Sequence, residues 1–457
     1  MSRVVVLGGG LAGCASAARL AKQGHEVVLV ESRPTLGGAL GLVEQDGFTW
    51  DTGPATTALP AVLRDLFRKS GRPLERELEL VPVDPMREHR FTDGTVLRLP
   101  SGSRAAQLAA VDEAFGPAQD AKGRPVRAGR SGKAAPSPGR QWVDHVHAQA
   151  EAWDLLRRDW FERSAGIEHL PEATEKLLTS RLMLHKVVER RFDDPRLRTL
   201  ATHHAVEGGH DPRNVPAWFA ILDYLEQNFG TWTVPGGLGA FAVLLTKRLG
   251  ERRVEVLTGV TALDVVMSGT SSDARPVAVT TSAGEVACDQ VVVALDPRRL
   301  PALASYVKRT MPAVPPTVTH LGLSDDAPDL PAEVVVHDEY TLTIRTGGQA
   351  PPGRRAWTVL GRGRLAEDLV MAMARHKLDV RDAIEVRVDL SPRALVEQWS
   401  GSPSGVLWQG RSTISDRLST RTPLPGVYAA GAHTGGGGWL PFVGLSAALV
   451  AEAIGPA

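Results

Sequence analysis

The opening of the chain alternates between apolar runs and polar or glycine breaks, in an order that predicts two strands joined by a helix. Residues 4–7 form an unbroken apolar run, and three glycines end it. Residues 11–23 carry the pattern of a helix with small side chains on its packing face, and residues 25–30 form a second apolar run ending at Glu31. Short apolar runs bounded by turn signals are typical of buried parallel strands. The pattern therefore predicts a β-α-β unit.

Apolar periodicity predicts further elements along the chain. They are a helix over residues 240–249, strand-like steps over 254–260, a buried strand over 289–294, a helix that Ser391 caps, a buried strand leading into the glycine-rich loop 431–438, and a helix over 446–454. An apolar stripe at helical spacing within residues 171–191 indicates a core helix more than a membrane anchor.

Composition and charge narrow the classes of partner. Lys and Arg together number 52, as do Asp and Glu. The chain therefore has no net charge that would favour binding to nucleic acid, to acidic lipid or to an acidic substrate. With Cys14 and Cys288 as the only cysteines, a disulfide scaffold or a thiolate zinc site is not expected. The 13 histidines are neither clustered nor repeated, so we expect no metal site. A reducing cytoplasm fits this composition, and no long uncharged apolar run predicts a spanning helix.

Two incompatible signals overlap in the opening segment. Residues 11–14 (LAGC) have the form of a lipoprotein cleavage site, whereas Gly8-x-Gly10-x-x-Gly13 has the form of a nucleotide-binding turn. A signal peptide needs a helical apolar stretch of about 7 to 15 residues, and here glycines interrupt the stretch too early. The nucleotide-binding turn also explains the β-α-β context, so we prefer it.

Each residue of the turn has a separate chemical role in this interpretation. Gly8 permits the turn, Gly10 lets the backbone approach a pyrophosphate, and Gly13 lets helix and strand touch. The helix N-terminus offers free N–H groups to the phosphates. Glu31, 18 positions after Gly13 (31 minus 13), can accept hydrogen bonds from a ribose diol. An acid there without a preceding basic neighbour favours NAD or FAD over NADP.

A glycine doublet and a later aromatic-Asp-x-Gly-Pro loop favour FAD. The doublet is Gly37 and Gly38, and the loop lies within residues 47–54 (GFTWDTGP). A simple NAD domain would return to β-α units here, whereas close backbone approach suits a long, flat ligand. These segments resemble the FAD-binding amine-oxidase superfamily, and within it the phytoene desaturase (carotenoid dehydrogenase) family. Further segments that resemble this family lie at residues 192–197, 230–238, 254–260 and 426–441.

The resemblance implies an α/β fold with a discontinuous, Rossmann-type FAD-binding domain and an inserted α+β substrate domain. The FAD-binding domain is expected over residues 1–100, 228–298 and 408–457, and the substrate domain over 101–227 and 299–407. Within the latter, residues 117–140 are rich in Pro, Gly and basic side chains, which predicts a flexible insertion.

The turn motif and the resemblance together give the expected site. The expected FAD contacts are Gly8, Gly10, Leu11, Ala12, Gly13, Glu31, Ser32, Arg33, Gly37, Gly38, Ala39, Gly53, Pro54, Val260, Gly431, Ala432, Trp439 and Val443. Trp232 and Trp439 are expected in the substrate pocket, and His433 is the candidate polar group near the chemistry. The chain departs from the family at 434–439 (TGGGGW), where His-Pro-Gly-x-Gly is common, so Trp439 should reshape the pocket's substrate end.

The resemblance implies a dehydrogenase that desaturates a largely apolar small molecule by hydride transfer to the flavin. Oxidation of an amine or a porphyrinogen, and isomerisation of a polyene by reduced flavin, stay open as alternatives, as does non-catalytic flavin binding. The electron acceptor also stays open, with oxygen and quinone as candidates. The expected location is the cytoplasm, with peripheral contact at the inner face of the membrane as a further alternative.

Overall fold

The computed structural model describes residues 1–117, 136–164, 169–269 and 274–457. Most of the insertion predicted at 117–140 therefore lies outside the described residues. The prediction extends this insertion to residue 140, but in the structure a helix already begins at Pro138. Ser137 caps that helix by accepting a hydrogen bond from the Arg140 N–H at 3.2 Å.

The strands of the described residues are, in chain order, β1 (Arg3–Leu7), β2 (Glu26–Glu31), β3 (Leu42–Gln45), β4 (Phe48–Asp51), β5 (Val81–Pro82), β6 (Arg87–Arg90), β7 (Val96–Leu99), β8 (Trp232–Thr233), β9 (Glu255–Thr258), β10 (Ala262–Ser268), β11 (Arg275–Thr281), β12 (Gly284–Ala287), β13 (Gln290–Val293), β14 (Thr317–Leu323), β15 (Glu333–His337), β16 (Tyr340–Gly348), β17 (Arg355–Gly363), β18 (Ile384–Leu390) and β19 (Val427–Ala429). The α-helices are α1 (Leu11–Lys22), α2 (Pro60–Ser70), α3 (Arg104–Phe115), α4 (Pro138–His147), α5 (Ala150–Leu156), α6 (Glu172–Leu178), α7 (Leu184–Arg191), α8 (Pro195–Glu207), α9 (Ile221–Phe229), α10 (Ala240–Glu251), α11 (Pro301–Ala304), α12 (Leu369–Arg375), α13 (Pro392–Gln398), α14 (Thr413–Asp416) and α15 (Leu440–Ile454).

A five-stranded parallel sheet, in the order β19-β13-β1-β2-β9, carries the opening motif. Strand β1 is central, and its residues Val4 to Leu7 are fully buried, which explains the unbroken apolar run. Helix α1 connects β1 to the parallel strand β2 and packs against α10 and α15. The predicted β-α-β unit is confirmed, with the helix ending at Lys22.

A seven-stranded mixed sheet, in the order β18-β14-β17-β16-β15-β6-β7, forms the second large layer. Strands β6 and β7 fall inside the segment 1–100 that we predicted for the first domain, yet β6 pairs in parallel with β15. The sheet pairing therefore places β6 and β7 in the second layer, although both strands lie before the predicted domain boundary at residue 100. Strand β6 has the sequence REHR, whose polar letters give no strand pattern, although Arg87, Glu88 and His89 are all buried.

The apolar stripe of residues 171–191 belongs to two helices, α6 and α7, instead of one. Between them Met183 forms an isolated bridge with Pro216, and Leu182 is exposed. Leu178, Leu184 and Val188 still enter the core of the helical layer, so the prediction of a core role is confirmed. None of the helices in the described ranges is long and apolar enough to cross a membrane.

Two predicted helix starts have different outcomes. The Ser391 hydroxyl accepts a hydrogen bond from the Ala394 N–H at 3.1 Å, which confirms the predicted cap of α13. Helix α15 begins at Leu440, six positions before the predicted start at 446 (446 minus 440). Pro441 stands in its first turn, where a missing N–H costs no hydrogen bond, so the proline starts this helix instead of delaying it.

Candidate functional site

The turn after β1 has the close packing that its glycines predict. A Cβ on Gly13 would lie 1.8 Å from the Gly8 carbonyl oxygen, so only glycine fits between the helix and the strand. Gly8 has φ +102°, and a Cβ there would lie 2.7 Å from the Ala294 oxygen. By contrast, a Cβ on Gly10 would meet nothing closer than the Gly38 Cα at 3.9 Å. The space beside Gly10 is therefore open.

Helix α1 begins at that open space. Gly10 is its N-cap and has no side chain to occupy the first N–H groups, and the first turn holds no acidic residue. The N–H groups of Leu11, Ala12 and Gly13 have no acceptor within the helix, because the first turn lacks preceding carbonyls. Such a helix end binds anions through its N–H groups and its dipole.

Glu31 lies at the end of β2 with its carboxylate turned back to the glycine turn. Its Oε2 accepts the Gly9 N–H at 2.5 Å, and its Oε1 accepts the N–H of Arg33 at 2.8 Å and the Ser32 hydroxyl at 3.2 Å. The Val260 N–H donates to the Glu31 carbonyl at 3.0 Å. These contacts bring Glu31, Ser32, Arg33 and Val260 to one edge of the turn, as the sequence predicts.

The glycine doublet packs onto the same turn from the other side. The Gly37 N–H donates to the Gly9 carbonyl at 2.9 Å. Gly38 has φ +53°, and a Cβ there would lie 2.8 Å from the Gly10 Cα. A Cβ on Gly53 would lie 2.7 Å from the Ala39 carbonyl oxygen. The two segments predicted to contact a flat ligand thus lie beside the turn.

The glycine-rich loop near the C-terminus joins this group. The Gly431 N–H donates to the Ser446 hydroxyl at 2.8 Å, and a Cβ on Gly431 would lie 3.3 Å from the Ala12 Cβ. Ser446 in turn donates to the Val443 carbonyl at 2.6 Å, so the loop containing Ala432 is tied to the first turns of α15. The structure therefore brings the expected contacts of α1 and α15 together.

A cavity of about 290 Å³ lies between the glycine-rich loops and the seven-stranded sheet. Ala39, Gly53, Pro54 and Trp439 line it from the loop side. Its aromatic and aliphatic walls are formed by Trp218, Phe219, Ile221, Leu222, Leu395, Trp399, Val406, Trp408 and Phe442. The Trp439 ring meets Phe442 edge to face at 5.2 Å. Enclosed apolar walls beside a few polar groups are typical of small-molecule sites.

Two predictions about this region are corrected. Trp232 does not line the cavity, because its indole N–H donates to the Phe229 carbonyl at 2.9 Å and its ring lies 5.7 Å from Arg64. His433 also lies outside the lining, with its Nδ1 3.9 Å from Asp296 Oδ1. Burial lowers the pKa of His433 to about 4, so its ring is neutral at pH 7. His433 is therefore a buried neutral side chain beside Asp296 and is not among the residues that line the cavity.

A buried charge network that sequence reasoning missed forms part of the cavity wall. Arg87 contacts Glu226 and Glu333, each at 2.6 Å. Arg345 contacts Glu333 at 3.2 Å and Glu207 at 3.0 Å. Burial alone would lower the pKa of the adjacent His204, but the nearby Glu226 carboxylate raises it overall. These residues come from β6, β15, β16, α8 and α9, so no sequence spacing could indicate the network.

Histidines converge in two groups that could offer three ligands to a metal: His89, His203 and His337, and His203, His204 and Glu207. In the first group His89 Nδ1 and His337 Nε2 already share a hydrogen bond of 2.9 Å, and their rings stack. The rings of His203 and His337 meet edge to face at 6.1 Å. This contact pattern is that of neutral core histidines, so the absence of a metal site stays a prediction.

The residues of the turn fit the adenosine diphosphate part of a dinucleotide. The open space at Gly10 admits a ligand that a Cβ would exclude, the start of α1 offers N–H groups, and Glu31 offers an acceptor at the end of β2. Ala39, Gly53 and Pro54 also line the cavity, which therefore adjoins these loops. The fold and site therefore define a dinucleotide-binding protein with an adjoining small-molecule cavity.

The chain belongs to the flavin containing amine oxidoreductase family, whose model matches residues 11–455. It is accordingly a flavin-dependent oxidoreductase.

Two curated relatives are carotenoid desaturases. The chain is 27% identical to a hydroxyneurosporene desaturase of Cereibacter sphaeroides, over 99% of this chain and 97% of the relative. It is 29% identical to a phytoene desaturase (neurosporene-forming) of the same organism, over 54% of this chain and 44% of that relative. Among solved structures, a putrescine oxidase bound to putrescine matches with a TM-score of 0.66 and 15% identity, over 99% of both chains. The last likeness concerns the fold alone.

Proposed function

We propose that this chain is an FAD-dependent dehydrogenase that introduces a double bond into a largely apolar small molecule. The observation that carries the proposal is the apolar cavity whose loop-side wall is made by Gly53, Pro54 and Trp439, beside the dinucleotide turn. The desaturases named above support the choice of reaction, since one of them matches nearly the whole chain.

FAD is the proposed flavin because the chain offers a place for an adenosine ribose. Glu31 would accept the ribose hydroxyls, the N–H groups at the start of α1 would hold the diphosphate, and the first turn of α15 would stabilise negative charge on the flavin. When bound, FAD supplies a two-electron acceptor for a substrate C–H bond. FMN lacks the adenosine that Glu31 is placed to recognise.

The chain's own residues orient the substrate and exclude water. The rings of Trp218 and Trp408 meet edge to face at 5.6 Å, and Phe219 lies 6.4 Å from Trp408. These rings present apolar surface to the cavity. Each carboxylate of the cavity wall already contacts an arginine or a histidine, so none is free to bind the ammonium of an amine substrate. This arrangement favours a desaturase over an amine oxidase.

Anaerobic mixing of the purified flavoprotein with candidate substrates tests the proposal. A dehydrogenase should bleach the oxidised flavin in proportion to the substrate added, and the product should contain one more double bond. Reaction only after prior reduction of the flavin would indicate an isomerase instead. Bleaching by amines but not by polyenes or their saturated precursors would overturn the proposal.

A further inference from the structure

One end of the cavity holds positive charge that no carboxylate balances. We call the group Arg362, Arg417 and His210, with Trp218 and Trp408, the cationic end of the cavity; all five residues line it. Arg362 is the next to last residue of β17, Arg417 directly follows α14, and His210 follows α8. Three separate parts of the chain therefore meet there.

Arg417 is buried without a counter-ion. It is 6% exposed, and no carboxylate of the described residues lies within ion-pair distance of it. Its Nη2 donates to the Val406 carbonyl at 3.0 Å and its Nη1 to the Thr434 carbonyl at 3.5 Å, while its Nε has no partner. The guanidinium lies over the Trp408 ring at 4.3 Å. Burial lowers the pKa of Arg417 to about 9, the direction expected for an uncompensated cation.

Arg362 is the second guanidinium at this end. It donates to the Val314 carbonyl at 2.8 Å and forms no ion pair with a carboxylate of the described ranges. Burial lowers its pKa to about 10, against a weaker opposing influence of Glu207. Glu207 is already paired with Arg345. Burial, with added repulsion from Arg417 and Arg362, lowers the pKa of His210 to about 3, so the imidazole between them is neutral.

Other cavity-lining groups also lack acceptors. The indole N–H groups of Trp218 and Trp399 are buried and have no hydrogen-bond partner within the part of the chain that the structure describes. An indole N–H and a guanidinium N–H can only donate. At the cationic end, the Arg417 Nε and the Trp218 indole N–H are therefore donors without acceptors, and what satisfies them must supply acceptor atoms.

The other charged part of the wall is internally paired, which makes this end distinct. There Arg87, Arg345 and His204 contact the carboxylates of Glu207, Glu226 and Glu333, and His204 also lies 3.5 Å from Asp223. Each basic group of that network therefore has a carboxylate partner. A buried charge without a partner costs several kcal/mol, so the surplus of Arg362 and Arg417 is explained by a ligand that brings the negative charge.

We propose that the cavity takes an apolar molecule with a carboxylate at one end, and that Arg417 and Arg362 bind this carboxylate. The planar guanidinium matches a carboxylate, and the aromatic walls match an apolar chain. The inference rests on the proposed function, because it specifies the substrate class of the same cavity. Arg417 and Arg362 are then specificity-determining residues.

Equilibrium dialysis of the oxidised holoenzyme against retinoate, its methyl ester and retinol tests the inference. The three probes share one polyene and differ only at its end. The isoalloxazine ring of oxidised flavin is neutral, so the ring itself does not compete for the arginines. We expect the wild-type protein to bind retinoate at least about tenfold more tightly than the ester, as for a hydrogen-bonded charge pair.

The Arg417→Gln and Arg362→Gln variants should each lose most of this preference and keep their affinity for the ester. Arg417→Lys keeps the charge but loses the planar fork, so it should keep part of the preference. Arg393→Gln is the control, because Arg393 is 88% exposed in its side chain and pairs only with Glu397. Flavin absorbance shows that each variant is folded, and Arg362→Gln carries the same expectation if Arg417→Gln does not fold.

Equal binding of retinoate and ester by the wild-type protein would overturn the inference, as would a preference that survives in both glutamine variants. If apolar substrates still bleach the flavin in that case, the proposed function stands and the carboxylate assignment alone fails. If no probe binds and no apolar substrate bleaches the flavin, the proposed function fails and the inference fails with it.

Discussion

At the scale of single residues, the site depends on groups whose contacts leave little room for substitution. Glu31 accepts backbone N–H groups from Gly9 and Arg33, so its carboxylate fixes both the turn and the strand end. Gly435 illustrates the limit of the sequence motif. A Cβ there would lie 2.2 Å from the Trp160 ring, so packing against the helical layer already requires this glycine.

Glu31→Ala should weaken FAD binding by about 1–3 kcal/mol, because a charged acceptor for hydrogen bonds is lost. The measurement is the dissociation constant of FAD for the apoprotein, followed by flavin fluorescence. Glu26→Ala is the matched control, since Glu26 lies on the same strand, is exposed and pairs with Arg3. Unchanged FAD affinity in Glu31→Ala would remove Glu31 from the cofactor site.

Trp439→Ala should keep the flavin but change which apolar substrates reduce it, by about tenfold or more in relative rate. Trp439 lines the cavity and packs on Phe442, so its loss enlarges the pocket near the loop. Anaerobic reduction rates across a panel of polyenes and their precursors give the measurement. Trp232→Ala is the control, because Trp232 lies outside the cavity. The assignment of Trp439 to the pocket fails if both variants give the wild-type order of rates.

At the scale of elements, local patterns predicted the nucleotide-binding unit well. The apolar run of β1, the glycine turn and the small residues of α1 lie next to one another in sequence. The interactions that form this unit are therefore visible in one short stretch of the chain. Strand β6 could not be predicted in the same way. Its buried Arg87 depends on carboxylates that β15 and α9 supply from distant parts of the chain, and its buried His89 contacts His337 of β15.

The same network predicts a large loss of stability. Arg87→Gln should lower the free energy of unfolding by about 3–5 kcal/mol, since it removes the guanidinium that Glu226 and Glu333 share and leaves these two buried carboxylates with only His204 and Arg345 as partners. Urea unfolding followed by tryptophan fluorescence measures the change. Arg64→Gln, which breaks the exposed pair with Glu75, should cost less than about 1 kcal/mol. A similar loss of unfolding free energy in the two variants would mean that the buried Arg87 network stabilises the fold no more than an exposed ion pair does.

At the scale of the whole molecule, the cavity is where the glycine-rich loops, the seven-stranded sheet and the helical layer meet. Its loop-side wall belongs to the dinucleotide-binding region, and most of its charges belong to the seven-stranded sheet and the helices. Motifs in the sequence therefore indicated which segments gather around the glycine turn, but not the charges of the cavity or the position of Trp232 outside it. The charges of the cavity and the position of Trp232 depend on which distant strands pair and in what register, and a single sequence does not reveal that pairing.

Buried histidines predict how the whole fold responds to acid. Burial lowers the pKa values of His145, His320 and His337 to about 4, whereas an unfolded histidine has its pKa at about 6.5. Between these values the unfolded chain binds protons that the folded chain does not. The free energy of unfolding should therefore fall as the pH drops from about 6.5 to about 4.

The His145→Gln variant tests the contribution of one such histidine to this pH dependence. It should reduce the slope of unfolding free energy against pH by up to about 1.4 kcal/mol per pH unit in that window, whatever its effect on stability at neutral pH. His145 is buried on α4 between Trp142 and Phe192, whereas His147 on the same helix is exposed. His147→Gln should therefore leave the slope unchanged. Urea unfolding at a series of pH values gives both slopes, and an unaltered slope in His145→Gln would show that this imidazole is protonated in the folded protein.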